Sequence, residues 1–189
     1  MVNVSNINKV GSGWIRVVNA ARRTVGKSPI DHEPSDIFKK KILLAEHSPI
    51  RLLEYDWTWE DIKQWVTVHI GRHHIGCEKF VHSQREDRRD LGIPRDELPQ
   101  GALNDMDMSA NAQAIINISR KRLCSCASRE TREAWQAFLD KLKEIDPILV
   151  SKCKRECIYR GFCPEFDRCC GYVNTEAYKK ELEEYRSID

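Results

Sequence analysis

The chain has 189 residues, 41% of them apolar and 32% charged, with a formal net charge of +2. That suits one soluble globular domain, or a subunit that completes its site across an oligomer interface, and the weak charge balance excludes any bulk electrostatic case for binding nucleic acid or a membrane surface. No apolar run approaches the length of a membrane span and residues 1–13 carry no secretory pattern, so the eight cysteines point to a reducing, cytoplasmic setting where thiols are free, metal-bound or catalytic.

Taken in chain order, residues 14–19 (WIRVVN) are β-prone and run into Ala20-Ala21-Arg22-Arg23-Thr24. Residues 29–34 form a loop. Ser35 predicts an N-cap for a helix with Ile37, Phe38, Leu43 and Leu44 as its apolar positions. Leu53, Tyr55 and Trp57 alternate with Glu54 and Asp56, the period of a half-buried strand. Thr58-Trp59-Glu60-Asp61 has the form of a capping box. After it, Ile62, Trp65, Val66 and His69 share one helical face, and Gly71 ends that helix through a left-handed cap. Residues 77–84 are extended, and residues 86–99 form an irregular charged loop. A helix is expected over residues 109–127. Another covers 128–145, with Trp135, Phe138, Leu139 and Leu142 on one face and Pro147 as its stop. The tail, residues 153–189, is Cys-rich and then charged. The chain thus divides into a domain over 1–152 and a tail over 153–189.

The helix around residues 111–122 holds the strongest physical clue. Asn111, Ile115, Ile118 and Arg122 fall on one stripe, and Gln113 and Asn117 on another. A guanidinium among isoleucines needs an anion or a route to water, since an unpaired buried charge costs several kcal/mol. The pattern alone leaves both open: Arg122 meets a carboxylate or ligand anion, or it snorkels from the helix end.

Four separated pieces, in order, resemble the flavin-dependent thymidylate synthases. Ala20-Ala21-Arg22-Arg23-Thr24 resembles an early Ala-Ala-Arg-x-Ser/Thr segment. His47-Ser48-Pro49 resembles a His-x-Ser/Thr-Pro turn. Arg72-His73-His74-Ile75-Gly76-Cys77 resembles the signature Arg-His-Arg-x-x-Ser. Asn111-Ala112, Asn117, Arg122, Ser125, Ala127 and Glu130 keep the spacing of the family's helical segment, with Leu98-Pro99 ahead of it. Together they span roughly residues 17–131.

The resemblance implies an α+β fold, with a mixed or antiparallel central sheet and flanking helices, followed by the Cys-rich tail. It implies an FAD-dependent methyltransferase of dTMP biosynthesis. NADPH and methylenetetrahydrofolate are co-substrates, dUMP is methylated at C5, and a homotetramer shares its sites between subunits. Arg122 then matches the arginine that binds dUMP and favours ionisation of the ring. Ser48, Arg72, His73, His74, Asn111, Gln113 and Asn117 fall at flavin-contacting positions. His69, Arg72, Ser83, Arg85 and Arg95 join Arg122 at nucleotide-contacting ones. The departures are His74 for the second signature arginine, Cys77 for the signature serine, Phe80 near a glutamate position, Gln113 for an arginine and His69 for a glutamine. The loop between Arg85 and Leu98 is also short. A hydroxymethylating relative or an inactive flavin-binding homologue shares this pattern.

His69 and His73 have the spacing of a helical metal pair, but Gly71 lies between them and no glutamate follows His69, which argues against zinc there. His82 reads as a surface histidine. In the tail, Cys153, Cys157, Cys163 and Cys169 are candidate zinc ligands, and Cys170 stands beside them. A thiolate site would order a segment with little core of its own. Cys77, Cys124 and Cys126 read as small core residues. The alternative to an enzyme is a binding module organised by the tail cysteines, touching nucleic acid through Lys152, Lys154, Arg155 and Arg160.

Overall fold

The computed structural model describes residues 2–165 and 167–188. Its sheet has four antiparallel strands in the order β1-β2-β4-β3, where β1 is Asn3–Lys9, β2 Glu54–Lys63, β3 Cys77–Val81 and β4 Leu103–Asn111. Eight helices surround it among the described residues: α1 Trp14–Thr24, α2 Asp36–Leu44, α3 Gln64–Gly71, α4 Ala112–Arg122, α5 Arg129–Ile145, α6 Pro147–Lys152, α7 Glu156–Arg160 and α8 Glu176–Arg186. This is the expected α+β class, with the sheet wholly antiparallel. No helix among the described residues is long and apolar enough to cross a membrane.

Helix α5 packs against β1 and β2. Trp57 of β2 stacks on Phe138 of α5 at 3.8 Å between ring centroids, and Trp59 and Trp135 close the group edge-on or tilted. Such contacts add to the burial of very large apolar surfaces. The polar ends of these rings are mostly placed: Trp59 Nε1 donates to the Ala134 carbonyl and Trp135 Nε1 to Ser119 Oγ, each at 2.9 Å. Deeper in the core, Asp146 accepts from Trp14 Nε1 and Tyr55 Oη, and its other oxygen caps α6 at the Leu149 N–H. Burial and that carboxylate push the Tyr55 hydroxyl above the ordinary tyrosine range.

Helices with local caps form where expected. Ser35 accepts from the Phe38 N–H and Ser128 from the Thr131 N–H. Four other expectations are corrected. Residues 14–19 lie in α1, because Trp14, Val17 and Val18 are buried at helical spacing, which outweighs their β-prone side chains. Residues 58–61 are strand, not cap: Thr58 Oγ1 donates to Asp107 Oδ1 at 2.6 Å, and Asp61 turns at φ 55 in a bulge whose N–H is taken by Asp105. Residues 109–111 end β4, so α4 starts at Ala112. Gly71 is the last residue of α3 and Arg72 its right-handed cap; the left-handed glycine of that turn is Gly76, at φ 74. Pro147 stops α5 and also starts α6, where its missing N–H is harmless. Strand β1 gave no apolar signal: only Val4 is buried in it.

Candidate functional site

Helix α4 organises two adjoining places, one at each end. At its N-terminus, Asn111 leaves β4 and caps the helix, its Oδ1 accepting from the Ala114 N–H at 2.9 Å. The Asn111 N–H bonds the Gly76 carbonyl, also at 2.9 Å. A Cβ on Gly76 would stand 2.6 Å from Asn111 Nδ2. Only glycine lets the turn after α3 approach the helix this closely. A cleft of about 570 Å³ opens here, lined by Glu46, Arg51, Ile75, Gly76, Asn111, Gln113, Ala114 and Asn117. Three amide side chains expected at a flavin are thus on one wall. Gln113 Nε2 donates to Glu46 Oε2 at 2.5 Å. Arg51, exposed and three residues past Ser48, supplies a cation to the same cleft; no motif reading had singled it out.

At the C-terminus of α4, the half-buried Arg122 reaches back under α3. Its Nε donates to His73 Nε2 at 2.9 Å and its terminal NH2 to the His69 carbonyl at 2.5 Å. Both acceptors are uncharged, and no described carboxylate pairs with this guanidinium. Burial and the nearby Arg72 lower its proton affinity, the direction expected of a cation lacking a counter-charge. The same surroundings keep both histidines neutral. Burial, then Arg122 and Lys79, lower His73 to about 4, and burial with Arg122 and Arg72 lowers His69. His73 Nε2 must be bare to accept from Arg122, so its proton sits on Nδ1. His69 Nδ1 meets Thr131 Oγ1 at 2.9 Å. The two histidines serve Arg122 rather than forming a metal pair. His74 is exposed, with Nδ1 toward the Arg72 carbonyl, and Arg72 is exposed beside it.

The other expected residues are spread wider. His47, Ser48 and Pro49 line a second cleft, about 610 Å³, together with Ala21 and Thr24, so two separated sequence pieces meet. Ser83 and Arg85 are exposed: the Ser83 hydroxyl accepts from the Arg85 N–H, and the guanidinium holds Asp87 through two bonds of 2.9 and 2.6 Å. Arg95 is exposed in the short 3-10 turn Arg95–Glu97, its N–H on Glu86. His82 lies 3.4 Å from both Asp105 and Asp107, which makes it a poor phosphate ligand. Phe80 is exposed on β3.

The cysteines regroup. Cys153 is buried in the main core, its thiol donating to the Leu149 carbonyl and pushed up by burial to about 12. Cys157, Cys163 and Cys169 instead line a small cavity with Cys124, Cys126 and Cys170. Cys124 and Cys126 are therefore not core residues. They sit in the turn between α4 and α5, which the tail covers.

No family model matches the chain. Over 75 residues, 39% of this chain, it is 31% identical to a flavin-dependent thymidylate synthase of Nitratidesulfovibrio vulgaris, and that stretch is 31% of the relative's length. The fold is similar to that of thymidylate synthase X from Helicobacter pylori, solved with FAD and dUMP, at a TM-score of 0.62 and 14% identity over 80% of this chain and 97% of that one. It is also similar to the UMP/dUMP methylase PolB from Streptomyces cacaoi, bound with 5-Br dUMP, at a TM-score of 0.64 and 13% identity over 86% and 96% of the two chains.

Proposed function

On the premise that this chain is a divergent relative of the flavin-dependent thymidylate synthases with their fold, we propose that it binds FAD and a uracil mononucleotide and methylates the uracil at C5. The observation that carries the reading is Arg122: a half-buried permanent cation held by two uncharged acceptors, with no carboxylate paired to it among the described residues. Among the described residues, two of its five N–H donors are engaged, leaving three for an anion. A guanidinium presents paired donors in a plane, which suits the oxygens and ring nitrogen of a uracil. Because His69 and His73 stay neutral, Arg122 is oriented without a competing charge, and an anionic ring is favoured over a neutral one.

FAD fits the cleft at the start of α4. Its wall of Asn111, Gln113 and Asn117 offers donors and acceptors for a heterocycle's polar edge, the exposed Ile75 offers an apolar cover, and Arg51 offers a cation for a phosphate. Ser48, Arg72, His73 and His74 complete the flavin set in this reading, and His69, Arg72, Ser83, Arg85 and Arg95 the nucleotide set. The last three are assigned to the nucleotide phosphate, and a homotetramer with shared sites is part of the same reading. Bound FAD, reduced by NADPH, would supply the two electrons that convert the carbon of methylenetetrahydrofolate to a methyl group. Arg122 and its neighbours hold the pyrimidine while the C5 hydrogen leaves as a proton and the new carbon–carbon bond forms.

The protein purified in this reading is yellow, and tritium is released from dUMP labelled at C5 when NADPH and methylenetetrahydrofolate are present. Comparing UMP with dUMP in that assay fixes the acceptor. A colourless protein that takes up no FAD, or release unchanged in Arg122→Ala, overturns the reading.

A further inference from the structure

Six of the eight cysteines come together in a cavity separate from the flavin cleft. Cys124 and Cys126 lie in the turn after α4. Cys157 lies in α7, and Cys163, Cys169 and Cys170 lie in the irregular stretch between α7 and α8. The ligand atoms of Cys124, Cys126 and Glu165 all fall within 4.8 Å of one another. The Cys163 thiol contacts Cys169, and the Cys126 thiol contacts Cys124 and donates to the Arg168 carbonyl at 3.3 Å. Packing does not account for this gathering. Cys126, Cys169 and Cys170 are exposed, so they fill no core. Among its described residues the stretch that carries Cys163, Cys169 and Cys170 has one 3-10 turn, Tyr172–Asn174, and its apolar packing is that of Tyr172 and Val173 on the small cluster of Cys157, Ile158, Tyr178 and Tyr185. A polypeptide of that kind needs a cross-link to hold one conformation.

We propose that these thiols form a zinc site that fastens the tail to the end of α4, with Cys124 and Cys126 contributing from one side and Cys163 and Cys169 from the other. Four thiolates around one Zn²⁺, at about 2.3 Å from the metal, stand about 4 Å from each other; Cys124 and Cys126 already lie within 4.8 Å of each other and of Glu165, and the Cys163–Cys169 pair, which lines the same cavity, closes on the ion from the other side. The cavity they line is about 20 Å³. That is room for one water-sized group or one ion and not for an iron–sulfur cubane. Each ligating thiol releases its proton to solvent, and four thiolates with one Zn²⁺ carry a net charge of −2. Arg155 and Arg168 line the same cavity and offset part of that charge; of the two glutamates there, Glu156 is already paired with Lys121 and Arg160, while Glu165 adds to the negative charge. Cys157, buried behind the pair sets, and Cys170 are left as outer thiols. The ligand set spans both the sheet domain and the tail, and Cys124 is two residues from Arg122. The ion therefore fixes the end of the helix that presents the site's cation, whether or not the chain is a methyltransferase.

The test is metal analysis of the full-length protein, purified without chelator, together with titration of its thiols. One zinc per chain is expected, released when a mercurial reagent blocks the cysteines. Replacing the zinc with Co²⁺ gives ligand-field bands in the red, beyond the flavin absorption, with the intensity of a tetrahedral thiolate site. Cys126→Ser and Cys163→Ser each lower the bound zinc to less than about a tenth of that in the parent protein, and Cys153→Ala leaves it at one. If a serine variant fails to fold, release of zinc from the parent protein in step with thiol blocking still decides the matter. Three results overturn the proposal: no metal; iron with inorganic sulfide; or an intact mass showing disulfides among these six residues. None of them bears on FAD binding or tritium release, so the two proposals fail independently.

Discussion

Arg120 and Arg122 stand two residues apart on the same helix and live in opposite surroundings. Arg120 is enclosed by its own chain: it pairs with Glu46, donates to Asn117 Oδ1 at 3.0 Å, and lies 3.4 Å above the Tyr159 ring. Its charge is fully answered. Arg122 is held as firmly, but by a neutral imidazole and a carbonyl. The difference is the one on which the proposed role of Arg122 rests. The first is given a counter-ion; the second is given geometry and left with unmatched charge, available to whatever anion enters.

The sharpest break in that comparison is Arg122→Ala. Tritium release from labelled dUMP is expected to fall by at least about 100-fold, the size seen when one donor to a developing anion is lost. The melting temperature and flavin absorbance should stay near those of the parent protein. Arg120→Ala should do the reverse in kind. It leaves Glu46, whose side chain is only 20% exposed, with the Gln113 amide but without its counter-charge. A loss of about 3 kcal/mol in urea-unfolding stability is expected, and part of it should return in a variant that also carries Glu46→Gln.

The pH dependence separates the two regions further. Above pH 6.5 His73 is neutral in both the folded and unfolded chain. Between 6.5 and about 4 the unfolded chain takes up a proton that the folded one refuses, because burial and Arg122 hold its site at about 4. Stability therefore falls as the pH is lowered through that window and levels off below it. His69 adds to the same trend. His73→Gln, which can still accept from Arg122, should flatten the slope; an unchanged slope would mean the imidazole is not buried against the guanidinium. The smallest effect belongs to the Arg120 side: Tyr159→Ala removes the stacked ring and should lower stability by about 1 kcal/mol, with turnover unaltered.

How legible this was varies with how local each cause is. The N-caps Ser35 and Ser128 lie within one turn of the groups they bond, so α2 and α5 could be read directly. The isoleucine stripe carrying Arg122 was equally visible, but it left open whether that cation meets an anion or snorkels to water. The bulge at Asp61 was not, because it exists only when β4 lies alongside to take the Asp61 N–H through Asp105. Strand β1 was hidden because its pairing with β2 is made by backbone groups and by polar side chains such as Asn3 and Ser5, which reach Glu60. Cys124 and Cys126 looked like small core residues because nothing in their neighbourhood announces a tail that folds back from residues 157–170.

The amino-acid order alone determined the spacing of the apolar faces, the caps and the stripe that makes Arg122 conspicuous, since these depend on residues within a few turns of one another. Tertiary structure decided what Arg122 touches, which amides share a wall with Arg51, and which six thiols meet. Those outcomes rest on contacts between segments dozens of residues apart, where the free energy is set by burial and unmatched charge rather than by any local preference of the chain.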